Sequence, residues 1–376
     1  MKFSFLVPYR NRDLVRVERC LRSIQHQELT DFEIVFVDYG SDEPMKSQIQ
    51  HLCGQFPTLH YVYLNTQGWF WSRAAALNEA FRHAKGKYAI VVDIDIMFPP
   101  HFLDYYHQHI TPTTAYQYQC YYVTEEFKDY ENINYTAQHP YKVSEIAGAG
   151  GLLVLPIAAV RAIGGFDEYF CVWGMEDIDF KIRLRNSGIQ LLPTDFSQVK
   201  TFHQWHERLF ATPLTASTWQ TNVQTYQRTR TQTKVPYLEQ AAKVRTADVT
   251  PFVNQQKQSA TFRFEFPIIK SFTLFSQYFF SLPAGEALSV NQTFEAVSAL
   301  QTSRLGGIVR GLNNALARFG VSYRITELLT FESELIRFET VRDFLFYFII
   351  ENKDFIADYH ISTDSPEHLR CFIVKK

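Results

Sequence analysis

Apolar positions in the first ninety residues alternate between two periods. The run 3–7 is short and apolar, Leu14, Val17, Leu21 and Ile24 recur at helical spacing within 14–27, and 32–37 is apolar and β-branched again. That is the pattern of a strand, a helix and a parallel strand. Residues 61–64 read as the next strand, 72–84 as a helix ending near Gly86, and 88–92 as a buried strand closed by Asp93. A further strand is expected at 197–202. Such alternation predicts an α/β fold with a mostly parallel, Rossmann-like sheet, and such sheets bind ligands beyond the carboxyl ends of their strands.

The pattern changes in the second half. Thr and Gln crowd 212–233, yet Trp219, Val223 and Tyr226 keep helical spacing, which predicts a surface helix. Polar residues around Pro251 then give way to a period-two strand at 261–266, amphipathic helices over 305–316 and 344–350, and a closing strand at 369–374. We therefore expect one α/β unit over 1–246 and a smaller α+β domain over 247–376. At roughly 100 to 200 residues per domain, a chain of 376 residues has room for both.

Composition narrows the partners. Lys and Arg number 37 against 39 Asp and Glu, so no basic excess exists to neutralise a nucleic-acid backbone. Five scattered cysteines with no C-x-x-C pair suggest neither a disulfide framework nor a zinc site, and point to a reducing compartment. No run reaches the roughly 18 apolar residues of a membrane span. A soluble cytoplasmic protein, with at most peripheral contact at a membrane, is the expectation.

Candidate chemistry clusters after the predicted strands. Asp93-Ile94-Asp95 follows the buried run 88–92 and suits a hard cation that bridges phosphate oxygens, or else a solvated strand end. Glu176, Asp177 and Asp179 stand at a helix start beside Trp173 and Gly174; they fit either a sugar platform with a general base or acids favoured by the helix dipole. His203 and His206 are compatible with one metal or with two unrelated roles. Arg10, Arg12 and Arg73 are placed to clamp phosphates or to lie on the surface.

Four blocks then occur in a telling order: Pro8-Tyr9-Arg10-Asn11-Arg12, Trp71-Ser72-Arg73 through Asn78, Asp93-Ile94-Asp95, and Gly164-Gly165-Phe166 with Trp173-Gly174-Met175-Glu176-Asp177. Together they resemble the β-1,4-galactosyltransferase group of GT-A glycosyltransferases and, more widely, inverting family-two enzymes, over roughly residues 1–230. The resemblance implies that Pro8, Arg10, Arg12 and Asp38 contact the uridine side of a UDP-sugar, Arg73 its diphosphate and Asp93 the ribose or sugar. It further implies Asp95 and His203 as ligands of Mn²⁺ or Mg²⁺, Trp173 and Glu176 as holders of a saccharide acceptor, and Asp177 as the base.

Two departures bear on that expectation. Lys200 stands where the group has a metal-binding methionine, leaving the third ligand to His206 or water. Gly148 stands where the group has an aromatic residue, which leaves room for an N-acetyl group on the donor. UDP-galactose, UDP-N-acetylgalactosamine and UDP-N-acetylglucosamine are thus all open as donors, with surface polysaccharide as the expected product. The competing expectations are a nucleotidyltransferase or another nucleotide-sugar enzyme, and a catalytically inactive carbohydrate-binding protein.

Overall fold

The computed structural model describes residues 2–66, 69–136, 143–147, 151–172, 174–207, nine positions between 222 and 238 (222, 223, 226, 231, 233–235, 237 and 238), 259–265, 268–294, 336, 338–365 and 368–376. The chain divides into two compact units, residues 1–66 with 70–243, and 67–69 with 244–376.

In the first unit the alternation seen in the sequence becomes β1 (Phe3–Tyr9), α1 (Leu14–Gln25), β2 (Phe32–Asp38), α2 (Met45–Cys53), β3 (Leu59–Tyr63), α3 (Arg73–His83) and β4 (Tyr88–Val91). There follow β5 (Ile96–Met97), α4 (Phe102–His109), β6 (Thr114–Gln117), β7 (Cys120–Val123), β8 (Val143–Ala147), β9 (Leu153–Pro156), α5 (Ile157–Ile163), α6 (Glu176–Asn186), β10 (Gln190–Pro193) and β11 (Thr201–His203). Seven strands form one sheet in the order β10-β6-β9-β4-β1-β2-β3. All of its pairings are parallel except those of β9, which runs antiparallel to β4 and β6. Of a small second sheet, β5-β11-β7-β8, only β11 has a counterpart in the sequence pattern, at the end of the strand expected over 197–202.

β1 shows why both sheet faces are covered. Its side chains alternate, Phe3, Phe5, Val7 and Tyr9 joining one core cluster and Leu6 the other. The first face is aromatic: Phe98 and Phe102 meet edge-on at 4.8 Å and both pack on Phe5. The second is closed by α3, whose Ala74, Ala75, Ala76 and Ala80 let the helix approach Leu6, Val35 and Val37. All five cysteines are free and buried.

The strand expected at 197–202 forms only at its end. Asp195 accepts hydrogen bonds from the Ser197 backbone and hydroxyl and from Gln198, which bends 195–199 into a turn instead.

The second unit is a four-stranded sheet, β12 (Ser259–Phe262), β13 (Ala287–Thr293), β15 (His368–Lys375) and β14 (Ile356–Ser365) in spatial order, with helices α7 (Ile268–Ser281) and α8 (Phe338–Glu351). Phe264, Phe272, Phe275, Phe344 and Phe348 interlock between those helices. The period-two strand stops short of Phe264 because the Gln292 side chain, not a neighbouring strand, satisfies that residue's backbone: Phe264 N–H donates to Oε1 at 2.9 Å and its carbonyl accepts from Nε2 at 3.0 Å. The helix expected over 305–316 and most of that over 212–233 lie outside the described residues. No described helix is long and apolar enough to cross a membrane.

Candidate active site

The carboxyl ends of β1, β2 and β4 converge. Tyr9 is in register with Asp38 across β1 and β2, and Asp38, fully buried, accepts from Ser41 N–H at 2.8 Å and from the Tyr61 hydroxyl at 2.9 Å. Burial still pushes its carboxyl above the usual range. Pro8 sits on β1 opposite Val37. Burial holds the Arg10 guanidinium below its usual range against the pull of Asp42 and Asp38, while the Arg12 carbonyl accepts from the Tyr9 hydroxyl at 2.8 Å. Asn11, at φ +47°, exchanges hydrogen bonds with Asp42 and Ser41 and so fastens the loop after β1 to the loop after β2.

Arg73 opens α3 behind the N-cap Ser72, whose hydroxyl accepts from Ala75 N–H. Its Nε and Nη2 both donate to Asp93 Oδ1, at 3.0 and 2.9 Å, and Nη2 also reaches the Gly151 carbonyl. Nη1 is buried without a partner. A Cβ on Gly151 would lie 2.5 Å from that same Nη1, so only glycine leaves the guanidinium its place.

Asp95, His203 and His206 form a cluster whose ligand atoms all lie within 4.8 Å of one another. Backbone pairing assembles it: β11 runs antiparallel to β5, with His203 opposite Ile96, and Gln204 N–H donates to the Asp95 carbonyl at 2.8 Å. Asp95 Oδ2 lies 3.1 Å from His206 Nε2 and 3.5 Å from His203 Nε2, and Oδ1 is buried with no partner. Burial raises the Asp95 carboxyl, but His206, His203 and Arg16 outweigh it and hold the group below its usual range. His203 stacks on Tyr122 at 4.3 Å, and the carbonyl of Glu207 lies 2.8 Å from His206 Nδ1, which turns Nε2 toward Asp95. Of this set the H-x-x-H spacing was the signal for His206; Tyr122 left none.

The acids at the start of α6 separate clearly. Asp179 is buried and receives Arg183 Nε and Nη2 at 2.8 and 2.6 Å, a structural pair. Asp177 faces Lys181 at 3.3 Å. Glu176 is pushed up to about 7, chiefly by burial and further by Asp177 and Asp93, against the pull of Arg73. Arg73 also feels Glu176 and Asp177, so the guanidinium that opens α3 lies within electrostatic reach of the acids that open α6. Trp173 and Gly148 lie outside the described residues.

Residues 4–154 match the family described as glycosyl transferase family 2, and the overlapping residues 130–207 match the N-terminal domain of galactosyltransferase. The first unit is thus similar to family-two glycosyltransferases. Among solved structures the chain is similar to S. aureus TarS 1-349 at 18% identity, over 53% of this chain and 60% of that one, with a TM-score of 0.40. The same protein in complex with UDP-GlcNAc matches at 17% identity over 55% and 60%, with a TM-score of 0.42. This chain thus spans about 60% of the length of those structures. No curated protein matches it.

Within the first unit two sequence blocks turn out to be one structural joint. Asn78 donates to the Phe166 carbonyl and to Glu168 and accepts from Phe166 N–H, so α3 is bolted to the Gly164-Gly165-Phe166 turn. Gly164, at φ +78°, is further fixed because Val235 lies against it and donates to the Ile163 carbonyl.

Proposed function

We propose that this protein is a glycosyltransferase that moves a hexose or N-acetylhexosamine from a UDP-sugar to a saccharide hydroxyl with inversion, aided by a divalent cation. The observation that carries the reading is the adjacency, at the end of β4, of an arginine with an unpartnered buried Nη1 and a carboxylate with an unpartnered buried Oδ1. One suits a diphosphate and the other a cation.

The donor set fits a metal: one carboxylate and two imidazoles with ligand atoms within 4.8 Å of one another suit Mn²⁺ or Mg²⁺, His206 taking the place that Lys200 vacates. When bound there, the cation would offset charge on the departing diphosphate. The chain's own residues do the rest. Pro8, Arg10, Arg12 and Asp38 hold the uridine side, Arg73 turns Nη1 to a diphosphate oxygen, and Asp93 takes a ribose or sugar hydroxyl. Trp173 and Glu176 hold the acceptor, and Asp177 removes the proton from its hydroxyl as that oxygen attacks the anomeric carbon from the face opposite the leaving UDP. That geometry inverts the centre. The position of Gly148 favours tolerance of a 2-acetamido group, for which a difference of about 1 to 3 kcal/mol between donors is the expected scale.

Incubation with UDP-galactose, UDP-N-acetylgalactosamine or UDP-N-acetylglucosamine and Mn²⁺, following UDP release, tests the reading. At least one donor should be hydrolysed slowly, and hydrolysis should stop with chelator; no UDP release from any of them would overturn it.

A further inference from the structure

The backbone leading into the acid pair is held in a costly shape. Val172, Gly174 and Met175 all have positive φ, at +65°, +91° and +73°, and a β-branched residue at such an angle persists only where its surroundings impose it. Two groups impose it here. On one side the Trp71 carbonyl accepts from Val172 N–H at 2.7 Å. On the other stands Asn222, completely buried, far along the chain in the Thr- and Gln-rich stretch. Its single Nδ2 donates to the Cys171 carbonyl at 3.1 Å and to the Gly174 carbonyl at 3.2 Å.

Those two carbonyls flank Val172 and Gly174, with Met175 following directly. A two-proton amide is the chemistry required, since each proton satisfies one carbonyl that would otherwise turn outward and let the φ angles relax. Immediately after the clamp α6 begins with Glu176 and Asp177. We propose that Asn222 is a positioning residue, whose amide locks the Cys171–Gly174 loop in the conformation that presents Glu176 and Asp177 to the acceptor. The functional half of this rests on the reading of Asp177 as the base. The stretch around Asn222 thereby acquires a role that its composition does not announce: it fixes where the attacking hydroxyl sits while leaving the nucleotide pocket untouched.

The test compares Asn222→Ala, Asn222→Ser and Asn222→Gln with the parent. Three readouts are taken: calorimetric binding of UDP with Mn²⁺, steady-state hydrolysis of UDP-galactose and UDP-N-acetylglucosamine, and amide hydrogen exchange. Asn222→Ala should leave UDP affinity within about twofold while kcat falls roughly ten- to a hundredfold, the scale expected when a base is displaced by about an ångström. Exchange at residues 171–177 should speed up about tenfold with β1 and β4 unchanged. Asn222→Gln, which keeps the amide, should recover part of both, and Asn222→Ser carries the comparison if the alanine variant does not fold. Loss of UDP affinity in step with kcat, unchanged exchange at 171–177, or a glutamine variant no better than alanine would each overturn the clamp. If Asp177→Asn also leaves hydrolysis intact, the assignment of the base fails instead, and faster exchange in Asn222→Ala still identifies the clamp.

Discussion

Two neighbouring acids at the start of α6 are held so differently that their variants should part company. Asp177→Asn keeps size and hydrogen bonding but removes basicity, so kcat should drop about a hundred- to ten-thousandfold with UDP affinity nearly unchanged. Asp179→Asn should instead lower the melting temperature, because it strands the buried Arg183 guanidinium, with a smaller effect on turnover per folded molecule. Steady-state kinetics beside thermal denaturation separates the two. Glu176 adds a pH signature. Its folded-state value of about 7 lies above the ordinary 4.5, so the folded protein holds that proton more tightly than the unfolded chain does. Stability should therefore fall as pH rises from about 4.5 to 7, and Glu176→Gln should flatten that stretch of the stability profile. Arg73, Asp177 and Asp93 face this carboxyl. If the ionised form holds the acceptor, kcat/KM should rise through about pH 7 in the parent and lose that limb in the glutamine variant, as a pH series would record.

Elements decide what the sequence could and could not reveal. β1, α1, β2, α3 and β4 were legible because each buries one or two faces, which writes period 2 or 3.6 into the chain. α2 and α4 are short, and β5 spans two residues, too little for any period to appear, while β11 keeps only the end of the strand expected over 197–202. Yet the β5–β11 ladder brings His203 and His206 to Asp95, so the motif predicts the chemistry and the structure supplies its assembly. Calorimetry of Asp95→Ala and His203→Ala should show loss of Mn²⁺-dependent UDP binding with the fold intact; His206→Ala should weaken it also, and normal binding in any of them would remove that residue from the metal set. Asn222 was invisible for another reason: a side chain that satisfies distant carbonyls leaves no local pattern, just as the motif block that ends at Asn78 does not show what that amide bonds. Gly164→Ala tests the joint in which Asn78 takes part. A methyl there meets the Val235 carbonyl at a backbone angle hostile to side chains, so a loss of more than about 2 kcal/mol is expected in chemical denaturation.

At the scale of the whole chain, the two family models match 4–154 and 130–207 and reach none of the described strands of the second unit. We expect that unit to add no catalytic residue and to serve acceptor choice or docking. A chain ending near Ala247 should keep donor hydrolysis, and complete loss from a demonstrably folded product would show that the active site draws on both units.

The interior thiols offer a way to watch the two units separately. Cys20, Cys53, Cys120 and Cys171 belong to the first and Cys371 alone to the second, and none is exposed. A thiol reagent therefore finds nothing to modify until a unit opens, and the site of first modification reports which one did. Under mild denaturant, mass spectrometry of the adducts would time each unit's opening without an engineered probe. The native chain is its own pair of clocks, and a single cysteine placed on its surface would accept a label that no other position competes for.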